Sequence, residues 1–184
     1  MLPRHCNLVT APACNCHRPA TLAGPNGCPC LPDVTMEDFT IAELDWNDQA
    51  AVATARELVI GVFDNPLRYS AARIGEEFAP ARAPLQRCFF VAYQGGSMVG
   101  VGGIKSADWA SHTHLLYLSV VLPAARGRGI GRELVKSRLA WLRQNNTHGR
   151  VLVSTAKARR FLALGFRQLN RPVIDGKCLM FLEY

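Results

Sequence analysis

Between Leu118 and Val135 the chain reads LSVVLPAARGRGIGRELV: an apolar run closed by Pro123, glycines at alternate positions interleaved with arginines, then apolar residues at helical spacing. This passage of strand, glycine-rich turn and helix constrains the fold more than any other stretch. Such a junction gathers several unpaired backbone amides and the positive end of a helix dipole at one point, and that point binds phosphate. Gly127, Gly129 and Gly131 let the backbone approach an anion with no Cβ in the way. Arg126, Arg128 and Arg132 add charge-assisted contacts, so the natural guest is a diphosphate.

Two common diphosphate motifs are excluded. The segment GRGIG is not G-x-G-x-x-G, and the strand after its helix, RVLVST, ends without the acidic residue that would hold a ribose in a dinucleotide site. No G-K-[ST] follows either, which removes the nucleotide-triphosphate loop.

The elements around the junction can be read in order. FTIAEL from Phe39 alternates as a strand; then DWNDQAAVATARELVIGVF carries Asn47 or Asp48 as a cap and Val52, Ala55, Leu58, Val59 and Val62 at helical spacing. A second helix is expected in DNPLRYSAARIGEEFA, with Asn65 as cap and Pro66 at the first helical position. CFFVAYQ and SMVGVGGIKSA flank Gly95 and Gly96 as a hairpin, and HTHLLYLSVVL is a third consecutive strand. After the junction, Ile130, Leu134, Val135, Leu139 and Leu142 line one side of a helix and Arg132, Lys136 and Arg143 the other. RVLVST, the helix AKARRFLALGF closed by Gly165, and the strand KCLMFLEY complete the chain, with a further short strand placed at FRQLN. The predicted order is βααβββαβαβ, an α/β fold with a mixed, mostly antiparallel sheet flanked by helices.

A chain of 184 residues, 49% hydrophobic, suits one domain with an appendage. The appendage is residues 1–35, where five of the seven cysteines (Cys6, Cys14, Cys16, Cys28, Cys30) crowd beside His5, His17 and several prolines without either secondary-structure period. Its two C-x-C pairs are tighter than the usual zinc spacing, so a metal site there competes with a disordered extension and with translation starting at Met36. The domain is 36–184, and no metal is assigned to its site. Cys88 and Cys178 lie in apolar strands as small hydrophobes. With no apolar run of 18 residues and prolines where a signal peptide needs an apolar stretch, the expectation is a cytoplasmic protein without membrane contact, monomeric or homodimeric.

Arg126-Gly127-Arg128-Gly129-Ile130-Gly131 fits R/Q-x-x-G-x-G/A after a strand of the form L-S-V-V-L-P in a βααβββαβαβ chain. From Met36 onward the chain resembles the GNAT superfamily of acyl-coenzyme A dependent N-acetyltransferases. The resemblance implies that the pyrophosphate of acetyl-CoA lies on the amides from Arg126 to Arg132. It implies too that the strand through Val120 and Val121 splays from its neighbour and offers backbone groups to the pantetheine arm. RRFLALGF is similar to that family's second recognition segment. Phe161 occupies the place where many relatives carry a tyrosine that protonates the departing thiolate, and Ser154 the place where many carry an asparagine. A thiolate with pKa near 8.5 can leave without a strong acid, so the loss need not abolish transfer, though it argues against a simple base and acid pair.

Charge is divided along the chain. Residues 126–171 carry twelve Lys or Arg against one acid, Glu133, a balance of +11, and residues 36–125 carry six against ten, a balance of −4. A basic half suits the phosphates of coenzyme A and an acidic half suits a cationic acceptor, so the resemblance points to acetyl transfer to a primary amine of a small molecule or peptide. The alternatives are an amino-acid acetyltransferase, since STAKARRFLALGF is similar to the matching segment of N-acetylglutamate synthases, a coenzyme A sensor without catalysis, and a nucleic-acid module. Nucleic acid is disfavoured because no aromatic residues interleave the arginines as a stacking platform.

The reaction needs a group to take the ammonium proton and another to meet the oxyanion. The resemblance implies a backbone amide near Val121 for the oxyanion. The central strand offers His112 and His114 on one face and Thr113, Leu115, Tyr117 and Ser119 on the other. Tyr117 is the candidate on the useful face, to orient a water, unless it is an ordinary core aromatic; His114 serves if a bulge shifts the strand.

Overall fold

Burial along the two longest hairpin strands explains the architecture. In the computed structural model, which describes residues 39–169, 173 and 175–184, Cys88, Phe90 and Ala92 pack into one apolar cluster while Phe89 and Val91 pack into another. A strand apolar on both faces must be covered on both, and it is. The proposed cysteine-rich appendage over residues 1–35, with its metal and start-site readings, lies outside the described residues.

The elements are β1 (Phe39–Glu43), α1 (Gln49–Phe63), α2 (Ala71–Glu77), β2 (Arg87–Gln94), β3 (Ser97–Ser106), β4 (Thr113–Val121), α3 (Ile130–Asn145), β5 (Arg150–Thr155), α4 (Ala158–Leu162), β6 (Arg167–Gln168) and β7 (Cys178–Glu183). The seven strands form one sheet in the order β1-β2-β3-β4-β5-β7-β6. Every neighbouring pair is antiparallel except β4 with β5. That one parallel pair is joined by α3, the crossover that parallel strands require. One cluster joins the sheet to α3, with Ile130, Leu134, Val135, Leu139 and Leu142 buried; the other joins it to α1 and α2 through Val52, Ala55, Val59 and Ile74.

Local chemistry fixes the connections. Gly95 and Gly96 have φ of 55° and 77°, the pair of positive values that a two-residue hairpin with the right twist demands. Asp48 caps α1, its Oδ1 accepting from the Ala51 amide at 3.0 Å. The second helix begins later than expected: Asn65 caps only a turn, through its Oδ1 to the Arg68 amide at 3.0 Å, and Ser70 caps the helix proper at Arg73. The extra strand expected at FRQLN is β6, two residues long, so the order is βααβββαβαββ. Cys88 is a buried free thiol and Cys178 a half-buried one. Among the described residues no helix is long and apolar enough to cross a membrane, and no group of three His, Cys, Asp or Glu side chains is placed to hold a metal.

Gly61, exposed inside α1, has no heavy atom within 4 Å of where a Cβ would stand. Gly61→Ala is expected to stabilise the fold by about 1 kcal/mol and raise Tm by about 2–4 °C. A thermal melt with lower Tm would contradict the helix as placed.

Candidate active site

The region of interest begins where β4 loses its neighbour. β4 pairs with β5 only at Thr113, His114 and Leu115, whereas β5 continues to Thr155 in pairing with β7. Leu116–Val121 and Val153–Thr155 therefore diverge, leaving backbone groups with no cross-strand partner between them. On its other edge β4 carries a bulge: Tyr117 pairs with Gly103 and Val120 with Val101, so Leu118 and Ser119 stand opposite Gly102 alone. Leu118 adopts φ of 43°, which a branched side chain rarely does, and such strain persists only where the surroundings hold it.

The bulge also resets the faces of the strand. Tyr117, Leu118 and Val120 all pack toward α1 and α2, whereas Ser119 reaches α3. Val120 is core, 5% exposed; Val121 turns toward α3 and is half-buried. Strict alternation predicted Tyr117 and Ser119 on one face, and the bulge is what separates them.

β4 then enters the junction. After a single 3₁₀ turn at Pro123–Ala125, Gly127 and Gly129 both take φ of 87°, and Gly129 is the N-cap of α3 with no side-chain capping bond. The Arg132 and Glu133 amides return to the Gly129 carbonyl at 2.8 and 3.1 Å; the amides of Gly127, Arg128, Gly129, Ile130 and Gly131 find no backbone partner among the described residues. Ile130 is 1% exposed and anchors the first turn in the core. Apart from the chain neighbours, no atom lies within 4 Å of where a Cβ on Gly127 or Gly129 would stand, and both glycines are exposed. Arg128 and Arg132 are exposed beside them; Arg126 instead donates from Nε to the Val121 carbonyl at 3.1 Å, pinning the loop to the strand.

A cation from elsewhere joins this point. Arg160 of α4 brings Nη1 to 4.0 Å from where a Cβ on Gly131 would project. Its neighbour Phe161 is half-buried, edge-on to Phe166 at 5.2 Å between ring centroids. Ser154 is exposed on the diverging end of β5. Arg160 was not singled out from the sequence, because a basic residue on a five-residue helix looks like any solvated charge until tertiary structure sets α4 beside α3.

The two candidate catalytic side chains lie on opposite faces. Tyr117 has its hydroxyl buried with no hydrogen-bond partner, and the Lys105 ammonium sits 4.7 Å from its ring centroid. Burial, reinforced by the nearby Glu77 carboxylate, raises its pKa, so the phenol stays protonated. Glu77 itself is held by Lys105 Nζ at 2.7 and 2.9 Å. The same ion pair lies beside a pocket of about 280 Å³ lined in part by Glu76, Arg82, Arg87, Lys105 and Ser106. His114 is 3% exposed; its Nδ1 is 3.1 Å from the Tyr184 hydroxyl and its Nε2 3.4 Å from Gln86 Oε1. The bulge lies beyond His114, so it keeps the parity of His112.

Burial, and secondarily the charge of His112, lowers the pKa of His114 below 6.5. As pH falls, the unfolded chain takes up this proton before the folded one, so the stability present above pH 6.5 is lost as pH drops through the folded value. Histidine chemical-shift titration is expected to place His114 below 6.5, with Tm declining as pH falls below 6.5. A titration at or above 6.5 would contradict its enclosure.

Residues 45–166 match the family model described as "Acetyltransferase (GNAT) family". No curated protein matches the chain significantly. Solved structures similar to it include Escherichia coli ElaA, with TM-score 0.65 and 14% identity over 78% of this chain and 99% of that one. An aminoglycoside 6′-acetyltransferase type Ii gives TM-score 0.62 and 20% identity over 78% and 96%. The PaiA N-acetyltransferase of Thermoplasma acidophilum, solved in complex with coenzyme A, gives TM-score 0.59 and 14% identity over 80% and 99%. At such identities the likeness is one of fold.

Proposed function

We propose, from the premise that this chain belongs to the GNAT family of acetyltransferases, that it acetylates a primary amine of a small-molecule or peptidic acceptor. Membership makes it an acyltransferase with acetyl-CoA as co-substrate. The observation that carries the reading to particular residues is the run of amides from Gly127 to Gly131 without a backbone partner among the described residues, beside exposed glycines at 127 and 129 with φ of 87°. A diphosphate fits that opening, and a Cβ at Gly129 would intrude on it.

On this reading the amides of residues 127–131 hold the diphosphate, with Arg128, Arg132 and Arg160 supplying positive charge. The diverging segments at Val121 and Ser154 receive the arm, and Phe161 lines it without offering a proton. Bound acetyl-CoA supplies an acyl group activated as a thioester. Tyr117, a protonated phenol on the α1 and α2 face, orients the amine or a water by hydrogen bonding; it does not take the proton. His114 stays on the opposite face, tied to Tyr184 and Gln86, because the bulge lies beyond it, so the proton is not assigned to it. The amine acceptor is supported by the acidic balance of residues 36–125. Aminoglycosides, named for one structural neighbour, bear such amines and belong in the first acceptor screen.

Calorimetric titration of acetyl-CoA into the full chain and into residues 36–184 tests the reading. Micromolar binding, about −8 kcal/mol, is expected in both, because every residue assigned above lies after Met36. Absence of binding in both would overturn it.

A further inference from the structure

The largest fully buried side chain among the described residues is a charged one that the site above does not use. Arg138 of α3 is 0% exposed and forms no ion pair with any described acidic residue. Its contacts are neutral oxygens: Nε donates to the Leu134 carbonyl at 2.8 Å, and Nη1 to the Gly103 carbonyl at 3.0 Å and to Ser119 Oγ at 2.8 Å. A guanidinium buried without a carboxylate is costly, and burial lowers its pKa to about 9. The fold makes room for it deliberately: a Cβ at Gly102 would stand 2.9 Å from Arg138 Cζ.

Its partners share one location. Gly103 pairs with Tyr117 just before the β4 bulge, Gly102 is the residue the bulge opposes, and Ser119 is one of the two bulged residues. Ser119 in turn makes a long contact, 3.5 Å, to the Tyr117 carbonyl. Arg138 thus grips the bulge from inside the molecule, on both sides of the strained Leu118. It does so from the same helix whose first turn forms the phosphate junction, eight residues or about 12 Å further along the axis.

We propose that Arg138 is a positioning residue for the acyl end of the co-substrate: by clamping Gly103 and Ser119 it fixes the bulge, and with it the unpaired edge of β4 along which the arm lies. α3 then acts at two points, holding phosphate at its N-terminus and setting the shape of the acyl end two turns on. A lysine is a poor substitute, since one ammonium lacks the planar fork that reaches separate oxygens with fixed geometry. The inference rests on the junction holding acyl-coenzyme A as proposed above.

The test separates the two ends of the ligand. Full-length wild type, Arg138→Met, Arg138→Lys and Ser119→Ala are each titrated with adenosine 3′,5′-bisphosphate, which carries phosphates and no arm, and with acetyl-CoA. Arg138→Met is expected to bind the bisphosphate within twofold of wild type and acetyl-CoA at least tenfold more weakly. Arg138→Lys should lie between, and Ser119→Ala should lose about threefold for acetyl-CoA alone. Equal losses for both ligands, or none for either, would reduce Arg138 to a structural residue and overturn the inference. If Arg138→Met does not fold, Ser119→Ala, which leaves the buried charge in place, decides on the same criterion. If wild type binds neither ligand, the junction reading itself fails, and the inference with it; if it binds both and the variants match it, the inference alone falls.

Discussion

Gly129→Val is expected to weaken acetyl-CoA binding more than 100-fold, equivalent to about 2.7 kcal/mol, while leaving a folded protein. Gly129 sits at φ of 87° as the N-cap of α3, a conformation that a β-branched residue adopts only under strain of about 1–2 kcal/mol. Beyond the chain neighbours no atom lies within 4 Å of the added Cβ, which therefore projects away from the packed fold toward the space assigned to the diphosphate. Calorimetry checks the affinity and circular dichroism the fold. A folded Gly129→Val protein that binds acetyl-CoA normally would remove the diphosphate from this junction. Weak binding to duplex DNA that survived the substitution and vanished with salt would instead favour the nucleic-acid alternative.

Gly103→Val is expected to have the opposite profile, a large loss of stability from a position far along β3 from the junction. A Cβ there would stand 2.7 Å from Phe89 Cε1 and 2.7 Å from Tyr117 Cε1, both ring atoms in packed positions rather than the ends of flexible chains. Phe89 is 0% exposed and stacked on Phe78 at 4.0 Å between centroids, so it has nowhere to retreat. Overpacking of this kind costs about 3 kcal/mol, which lowers Tm by roughly 6–12 °C for a chain of this size. A Tm within 2 °C of wild type would show that the rings yield, and with them the placement of Tyr117 against β3.

Much of the fold was legible because periodicity and turn chemistry agreed. The α1 stripe of Val52, Ala55 and Val59, the paired glycines of the β2–β3 hairpin and the strand-to-helix passage at Pro123 are each local signals with a local cause. The start of α2 was misread because Asn65 and Pro66 satisfy the same capping rules as Ser70 but close only one turn. The bulge at Leu118 and Ser119 had no local signal at all. It carries no glycine on its own strand, and the glycines that permit it, Gly102 and Gly103, lie across the sheet. Arg138 was visible in principle: it stands four residues after Leu134 and four before Leu142, on the apolar face of α3, where a charge is out of place.

The amino-acid sequence by itself determined the succession of helices and strands as far as α4, a sheet flanked by helices, and the glycine-rich, basic composition of the loop from Arg126 to Arg132. Each of these follows from interactions within a few residues or from the side chains' own polarity. Tertiary structure alone decided which distant groups meet there. It brought Arg160 to the start of α3, sent Tyr117 and Ser119 to opposite faces, ended the pairing of β4 with β5 at Leu115, and tied Arg138 to the bulge. The reason is that strand register and bulges depend on packing between segments remote in sequence, and a one-residue offset moves every later side chain to the other face of the sheet.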